Sequence, residues 1–177
     1  MSLPGRSPLV LVVPAKLAVK NIAQLIDLAK THAGKLSFAS SGPGSITHLS
    51  AERFKREAKV DLLHVPYKGG VPATAAMIAG EIDLGFVCIS AAVPHIKAGR
   101  LVLLGVTTAK RSPVFPDAPA VAETLPGYET GCNTGFFVPG GMTPRLVERL
   151  HASAAKAVEQ PRLKELLNAN SAEPAPF

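Results

Sequence analysis

The chain has 177 residues, 47% of them hydrophobic and 18% charged, with a formal net charge of +6. This length allows one globular domain with a buried core, and the ordinary composition excludes an intrinsically disordered chain. The basic residues are scattered, which excludes the basic stripe of a nucleic-acid-binding protein, and no apolar run reaches the ~18 residues of a membrane span.

Predicted strands and helices alternate along the first half of the chain. Residues 9–13 (LVLVV) form a continuous apolar run, which predicts a buried strand. Apolar residues at helical spacing predict a helix over residues 21–33, with Gly34 as its C-cap. A predicted strand over residues 35–39 and a predicted helix over residues 46–58 follow.

The alternation continues through the middle of the chain and then changes. Three further strands are predicted at residues 60–65, 82–87 and 101–106, with short helices between them at residues 72–79 and 90–98. Frequent proline and glycine over residues 112–127 predict a long surface loop. The last predicted elements are a strand at residues 135–138, a helix over residues 144–158 capped by Thr143, and a helix that begins at Pro161.

This order of elements predicts the fold class. Strands that alternate with helices through short connections are typical of a parallel or mostly parallel sheet with helices on both faces. The predicted fold is therefore α/β. Cys88 and Cys132 lack the spacing of a zinc site and are predicted to be buried thiols, although a single disulfide stays open at this point.

Two loops of the predicted sheet combine features that favour an anion. Ligands of open α/β sheets bind beyond the carboxyl ends of the strands, where helices begin. Residues 40–45 (SSGPGS) supply hydroxyls, glycines that permit close backbone approach, and Ser45 as an N-cap. Residues 67–70 (YKGG) supply a hydroxyl, a cation and a second helix N-terminus, where free N–H groups and the helix dipole favour negative charge.

The sequence therefore predicts an anion pocket between two helix N-termini. The pocket is expected to centre on Ser41, Gly44, Ser45 and Thr47, with Tyr67 and Gly70 opposite. The full set of candidate ligand-binding residues is Ser40, Ser41, Gly42, Gly44, Ser45, Thr47, His48, Tyr67, Lys68, Gly69 and Gly70. The alternative is that both segments are ordinary flexible turns between strands and helices.

The sequence contains none of the common catalytic motifs. No Gly-Lys-Ser/Thr of a P-loop follows residues 40–45, and the Gly-x-Gly there lacks the third glycine of a dinucleotide fingerprint. A GxSxG nucleophile elbow is also missing. His48 could act as a base, but the sequence places no acidic residue to orient it, so we interpret His48 as a packed or capping residue. His64, His95 and His151 are interpreted as isolated, and no catalytic residue, metal or cofactor is predicted.

Three segments in this order carry a family resemblance: FASSGPGSITHLSAERF, HVPYKGG and VPHIKAGRLVLLGVTTAKRSPVFPDAPAVAETLPGYE. Over residues 7–174 the chain resembles the substrate-binding receptors of tripartite tricarboxylate transporters, also called Bug-type extracytoplasmic solute receptors. The resemblance implies a two-lobed fold like that of type II periplasmic binding proteins. It also implies a receptor without enzymatic activity that captures a small carboxylate or related solute and delivers it to membrane permease subunits.

The resemblance further implies a division of the chain and a location. Residues 7–139 are expected to form the α/β ligand-binding lobe, and residues 140–177 a helical segment of the other lobe, most of which is expected to be missing. The cleft face left without its partner lobe is expected to favour self-association. A periplasmic location is implied by the resemblance alone, because residues 1–6 do not form a signal peptide.

Two positions depart from the family pattern. Val87 stands where the family usually has Asp, and Asn133 stands where it usually has an aromatic residue. The pocket is therefore expected to be altered, and the resemblance does not specify the solute. Two other functions stay open from the sequence: the effector-sensing domain of a transcriptional regulator, and a small hydrolase that uses His48.

Overall fold

The computed structural model describes residues 2–112 and 115–169. Its strands are β1 (Ser2–Pro14), β2 (Ser37–Ser40), β3 (Leu63–Pro66), β4 (Leu84–Cys88), β5 (Leu101–Val106) and β6 (Gly131–Phe136). Its α-helices are α1 (Ile22–Thr31), α2 (Ile46–Ala58), α3 (Gly70–Ala79), α4 (Ile89–Lys97), α5 (Pro144–Glu159) and α6 (Pro161–Ala169). Short 3₁₀ helices lie at Ala15–Leu17 and Val121–Glu123.

The chain divides into two compact units. One unit is Pro8–Gly131, and the other is made of Met1–Ser7 together with Cys132–Phe177. The first unit holds β2 to β5 and α1 to α4, so it contains both predicted anion-binding loops.

The sheet of the Pro8–Gly131 unit is mixed, with most strands pointing the same way. Its strand order is β3-β2-β4-β1-β5. Strand β2 pairs in parallel with β3 and β4, whereas β1 pairs antiparallel with β4 and β5. Two antiparallel steps restore the original direction, so β5 points the same way as β2, β3 and β4. The α/β prediction is confirmed, and the reversed direction of β1 is a feature that the apolar run of residues 9–13 does not specify.

Helices cover both faces of this sheet, as predicted. Side chains of β1 alternate between two separate cores, because neighbouring residues of a strand point to opposite faces. Leu9 and Leu11 belong to the core that contains the buried residues of α1 and α2. Val10 and Val12 belong to the core that contains the buried residues of α3 and α4. Helices α1 and α2 therefore cover one face of the sheet, and α3 and α4 cover the other.

Several predicted boundaries differ from the structure. Helix α1 is capped by His32, whose N–H donates to the Leu28 carbonyl, while Gly34 with its φ of +70° lies two residues beyond. Strand β3 begins three residues later than predicted, and β6 begins at Gly131 rather than at residue 135. The prediction of buried thiols is wrong: Cys88 and Cys132 are half-buried, and neither forms a disulfide. Cys88 is both the last residue of β4 and the N-cap of α4, so it lies at the edge of the sheet where the chain leaves it.

A buried tyrosine fixes the position of α2. Tyr128 is fully buried, and its hydroxyl donates to the Ser50 carbonyl at 2.8 Å. Burial raises the pKa of this phenol. The Arg53 guanidinium lies 5.4 Å from the centre of the Tyr128 ring and donates to the carbonyls of Gly127 and Glu129. The segment around Tyr128 therefore packs against the buried face of α2 and is hydrogen-bonded to it, and α2 begins directly after residues 40–45.

The predicted C-terminal helices both form in the second unit. Helix α5 has Thr143 as its N-cap residue, as predicted, but the Thr143 side chain makes no capping hydrogen bond. Val158 on the predicted apolar face is buried, whereas Leu146 and Leu150 on the same face are exposed. Among the described residues, no helix is both long enough and apolar enough to cross a membrane.

Candidate functional site

The candidate site lies where three neighbouring strands end. Strands β3, β2 and β4 are adjacent and parallel, so their carboxyl ends lie at one edge of the sheet. Each of these strands leads into a helix, and the N-termini of α2, α3 and α4 follow from that edge. The segments at residues 40–45 and 67–70 identified the N-termini of α2 and α3 from the sequence. The third was missed because α4 begins directly after β4, without a glycine- or serine-rich connection.

Residues 40–45, called the ligand loop here, form a tight turn stabilised by their own hydrogen bonds. The Ser45 N–H and hydroxyl both donate to the Gly42 carbonyl, at 3.2 and 2.7 Å. The Ser45 hydroxyl also accepts the His48 N–H at 3.3 Å, which is the predicted N-cap contact of α2. The N–H of Ser41 donates to the Thr47 hydroxyl at 2.9 Å. The conformation of the loop is therefore specified locally, which is not expected of a flexible connection.

Thr47 contributes to this turn in a different way than expected. Its side chain is 5% exposed, and its hydroxyl lies 2.8 Å from the Ser41 hydroxyl and 3.0 Å from the Ser45 hydroxyl. This cluster joins the start of α2 to the loop before it. The group that Thr47 can offer a ligand is therefore its backbone N–H.

The two predicted loops lie against each other. The Gly69 N–H donates to the Ser41 carbonyl at 3.2 Å, and the Tyr67 N–H donates to the Ser40 carbonyl at 3.0 Å. A Cβ atom on Gly42 would lie 3.5 Å from the Tyr67 carbonyl oxygen. Lys68 is exposed beside these contacts. The predicted set of ligand-binding residues is thus brought together along one stretch of the sheet edge.

The starts of α2 and α3 present backbone donors that the protein does not use itself. The first N–H groups of any helix have no acceptor within the helix. The N–H groups of Ile46, Thr47, Gly70 and Val71 also find no acceptor elsewhere in residues 2–112 and 115–169. Val71 has an 82% exposed side chain, so the start of α3 is open to solvent. Such a pair of helix N-termini can hold the oxygens of a carboxylate.

Two histidines support the ligand loop. His48 packs against the His64 ring, in line with its interpretation as a packed residue, but two other expectations for these histidines need correction. His48 was expected to lack an orienting acid, but the Glu52 carboxylate lies 3.8 Å from its Nε2 atom, one helical turn further on. His64 was interpreted as isolated, but its Nε2 atom lies 2.7 Å from the Ser40 hydroxyl. Spacing of four residues along a predicted helix could have identified the first contact. The contact between His64 and Ser40 joins β3 to β2, so the local sequence around either residue does not indicate it.

The arrangement of Ser40 and His64 does not make a usable nucleophile. Ser40 is 1% exposed, so a substrate cannot reach its hydroxyl. That hydroxyl already accepts the Gly42 N–H at 3.2 Å. No group of three or more His, Cys, Asp or Glu side chains in the described part of the chain could hold a metal ion.

The two departures from the family pattern have different outcomes. Val87 is 4% exposed and belongs to the core beneath α3 and α4, so it fills the interior and does not line the edge. The side chain of Asn133 lies outside the described residues.

The capping role of Ser45 can be tested by its loss. We expect Ser45→Ala to lower the free energy of unfolding by about 0.5–2 kcal/mol, because the first turn of α2 then loses its side-chain acceptor. Urea unfolding followed by circular dichroism measures the change. Ser90→Ala, an exposed serine in α4, serves as the control and is expected to stay within about 0.5 kcal/mol. Equal stability of the two variants would contradict the capping role.

The fold and this edge together define a class of protein. A mostly parallel sheet with helices on both faces, whose helices begin around an open edge, is the organisation of α/β domains that bind small ligands.

The chain belongs to a family of receptors, described as tripartite tricarboxylate transporter family receptor. The model of this family matches residues 2–176. A protein encoded in the tcbD–tcbE intergenic region of Pseudomonas sp. strain P51 is 41% identical, over 90% of this chain and 48% of its own length. A solved structure of Rpa4515 from R. palustris with adipate is 33% identical, with a TM-score of 0.92 over 98% of this chain and 58% of that one.

Two further solved structures are similar. MatC from Rhodopseudomonas palustris with bound malate is 30% identical, with a TM-score of 0.90 over 97% of this chain and 58% of that one. The periplasmic binding protein BugD is 28% identical, with a TM-score of 0.91 over 98% of this chain and 58% of its own. The chain spans about half the length of the curated relatives that it matches, at 48% and 50% for two of them.

Proposed function

We propose that this chain is the ligand-binding part of an extracytoplasmic solute receptor that captures a small carboxylate. The observation that carries the proposal is the pairing of the ligand loop with residues 67–70 through the Gly69–Ser41 hydrogen bond. This contact places two helix N-termini with unused N–H groups beside each other. The related receptors solved with adipate and with malate support a carboxylate as the ligand class.

The proposed receptor works in the periplasm and passes its solute to the membrane subunits of a transporter. The family description and the periplasmic relatives support both parts of this proposal. No enzymatic reaction is proposed, because the family consists of receptors and Ser40 is inaccessible. Effector sensing by a transcriptional regulator has less support, since the family model that matches the chain describes a receptor.

The proposed assignment of residues to two lobes follows the family resemblance. In this proposal residues 7–139 belong to the ligand-binding lobe, of which Pro8–Gly131 are a compact unit, and residues 140–177 belong to the second lobe. The exposed Leu146 and Leu150 of α5 suit a helix that packs against further protein, either the remainder of that lobe or a second copy of the chain.

A single lobe is expected to bind a carboxylate weakly. Two or three charge-assisted hydrogen bonds contribute about 1.5–3 kcal/mol each, and each helix N-terminus adds about 0.3–1 kcal/mol at low salt. Screening in an open site reduces these gains, and association itself costs about 4 kcal/mol or more. We therefore expect a Kd of about 1 mM, which corresponds to about −4 kcal/mol.

NMR titration of the chain with adipate tests this function. The diamide of adipate is the matched control ligand, because it keeps the shape and removes both charges. We expect adipate to shift the N–H signals at the starts of α2 and α3, and the diamide to leave them unchanged. Equal binding of the two ligands would contradict carboxylate recognition.

A further inference from the structure

Histidine side chains hold the ligand loop at two points. The His48 Nδ1 atom accepts a hydrogen bond of 3.0 Å from the Gly44 N–H. The His64 Nε2 atom lies 2.7 Å from the Ser40 hydroxyl, which also accepts the Gly42 N–H. The His64 imidazole therefore holds the start of the loop at Ser40, and the His48 imidazole holds its glycine turn at Gly44.

The two imidazole rings pack on each other and on Phe38. The centres of the His48 and His64 rings are 4.0 Å apart, and their planes are inclined by 12°. The Phe38 ring centre lies 4.8 Å from that of His64 and 6.1 Å from that of His48. Because three nearly parallel rings restrict one another, each imidazole is held in the orientation that reaches the loop.

The contact with Gly44 specifies the protonation state of His48. A ring nitrogen accepts a hydrogen bond only when it carries no proton, so His48 is neutral with its proton on Nε2. That tautomer directs the Nε2–H toward the Glu52 carboxylate, 3.8 Å away. Protonation of Nδ1 would set two donors against each other and break the contact with Gly44.

The charged and titratable groups that face the ring pair are Glu52 and Lys55, both on α2. The Lys55 ammonium lies 3.2 Å from Glu52 and 3.9 Å from Asp61, so it offsets part of the negative charge near the rings. Burial lowers the pKa of His64 below its ordinary 6.5. A lowered histidine pKa stabilises the fold above pH 6.5, and this stabilisation is lost as the pH falls below that value.

We propose that His48 and His64 are positioning residues of the ligand loop, and that protonation of His48 at mildly acidic pH weakens carboxylate binding by releasing Gly44. This inference rests on the proposed function, because it assigns a regulation to the same site. A released loop no longer holds the first N–H groups of α2 in the position that receives the carboxylate.

The test compares malate binding by three forms of the chain at about pH 8 and about pH 5.5, between which histidine changes charge. His48→Asn keeps an uncharged acceptor for Gly44, and His48→Phe keeps the ring packing without an acceptor. We expect the unchanged chain to lose about two- to tenfold in affinity at the lower pH, the effect of one hydrogen bond. His48→Phe should bind weakly at both pH values. His48→Asn should recover part of the lost affinity and depend less on pH, since the titration of malate itself affects all three forms equally.

A second measurement does not need a ligand. The ¹⁵N signals of the imidazole at about pH 8 should place the His48 proton on Nε2. A proton on Nδ1, or parallel pH profiles for the unchanged chain and His48→Asn, would overturn the inference. If His48→Phe does not fold, the imidazole signals and the pH dependence of malate binding by His48→Asn still test the inference. Absence of binding of both malate and adipate by the unchanged chain at pH 8 would contradict the proposed function instead, while the imidazole signals would still report on the Gly44 contact.

Discussion

Tyr128→Ala is expected to lower the free energy of unfolding by about 3–5 kcal/mol, the range for removing a large buried aromatic side chain. The side chain is fully buried, donates to the Ser50 carbonyl, and carries the Arg53 guanidinium on its ring. Its loss leaves a cavity beside α2 and removes the hydrogen bond to the Ser50 carbonyl. Small domains are stable by only about 5–15 kcal/mol, so this change removes a large part of the total. Urea unfolding measures it.

Tyr128→Phe is the matched control for this change. It keeps the ring and removes only the hydroxyl, so we expect a loss of about 0.5–1.5 kcal/mol from the missing hydrogen bond to the Ser50 carbonyl. If Tyr128→Ala were no more destabilising than Tyr128→Phe, the packing role of the ring would be wrong.

Gly69→Ala is expected to abolish measurable carboxylate binding and to destabilise the fold. Gly69 is the N-cap of α3, with φ 113° and ψ 174°, a backbone conformation that is almost restricted to glycine. Strain of this kind costs about 1–3 kcal/mol, and the backbone relieves it by moving. Movement breaks the hydrogen bond between the Gly69 N–H and the Ser41 carbonyl, which aligns the two helix N-termini. Adipate titration and urea unfolding measure the two effects.

Gly99→Ala separates the loss of binding from simple backbone strain. Gly99 has a φ of +67° and follows α4, and an added Cβ there would meet no other atom within 4 Å. We expect this variant to be destabilised while adipate still binds. Retained binding by Gly69→Ala would contradict the alignment of the two helices by Gly69.

Much of the fold could be predicted from local patterns. Helix α2 forms over the predicted range, because Ser45 caps it and apolar residues recur along one side. Gly80 ends α3 as expected, with a φ of +74°. These signals depend on neighbouring residues, so they are visible in a single sequence.

Features that depend on contacts distant in sequence could not be predicted in the same way. The apolar run of β1 is buried on both faces, and such a run does not specify strand direction. Likewise, His64 meets Ser40 and His48 only after β2 and β3 pair. The two glycine-rich loops were identified from composition, but their direct contact through Gly69 follows from that same pairing.

The paired helix N-termini are tested most directly by a crystal structure of the chain grown with a large excess of adipate. We expect one carboxylate of adipate within about 3.2 Å of N–H groups at the starts of both α2 and α3, the usual limit for such a hydrogen bond. The donors should come from Ile46 or Thr47 on one side and from Gly70 or Val71 on the other. Adipate bound at another place, with side chains filling the space between these two helix starts, would contradict the site.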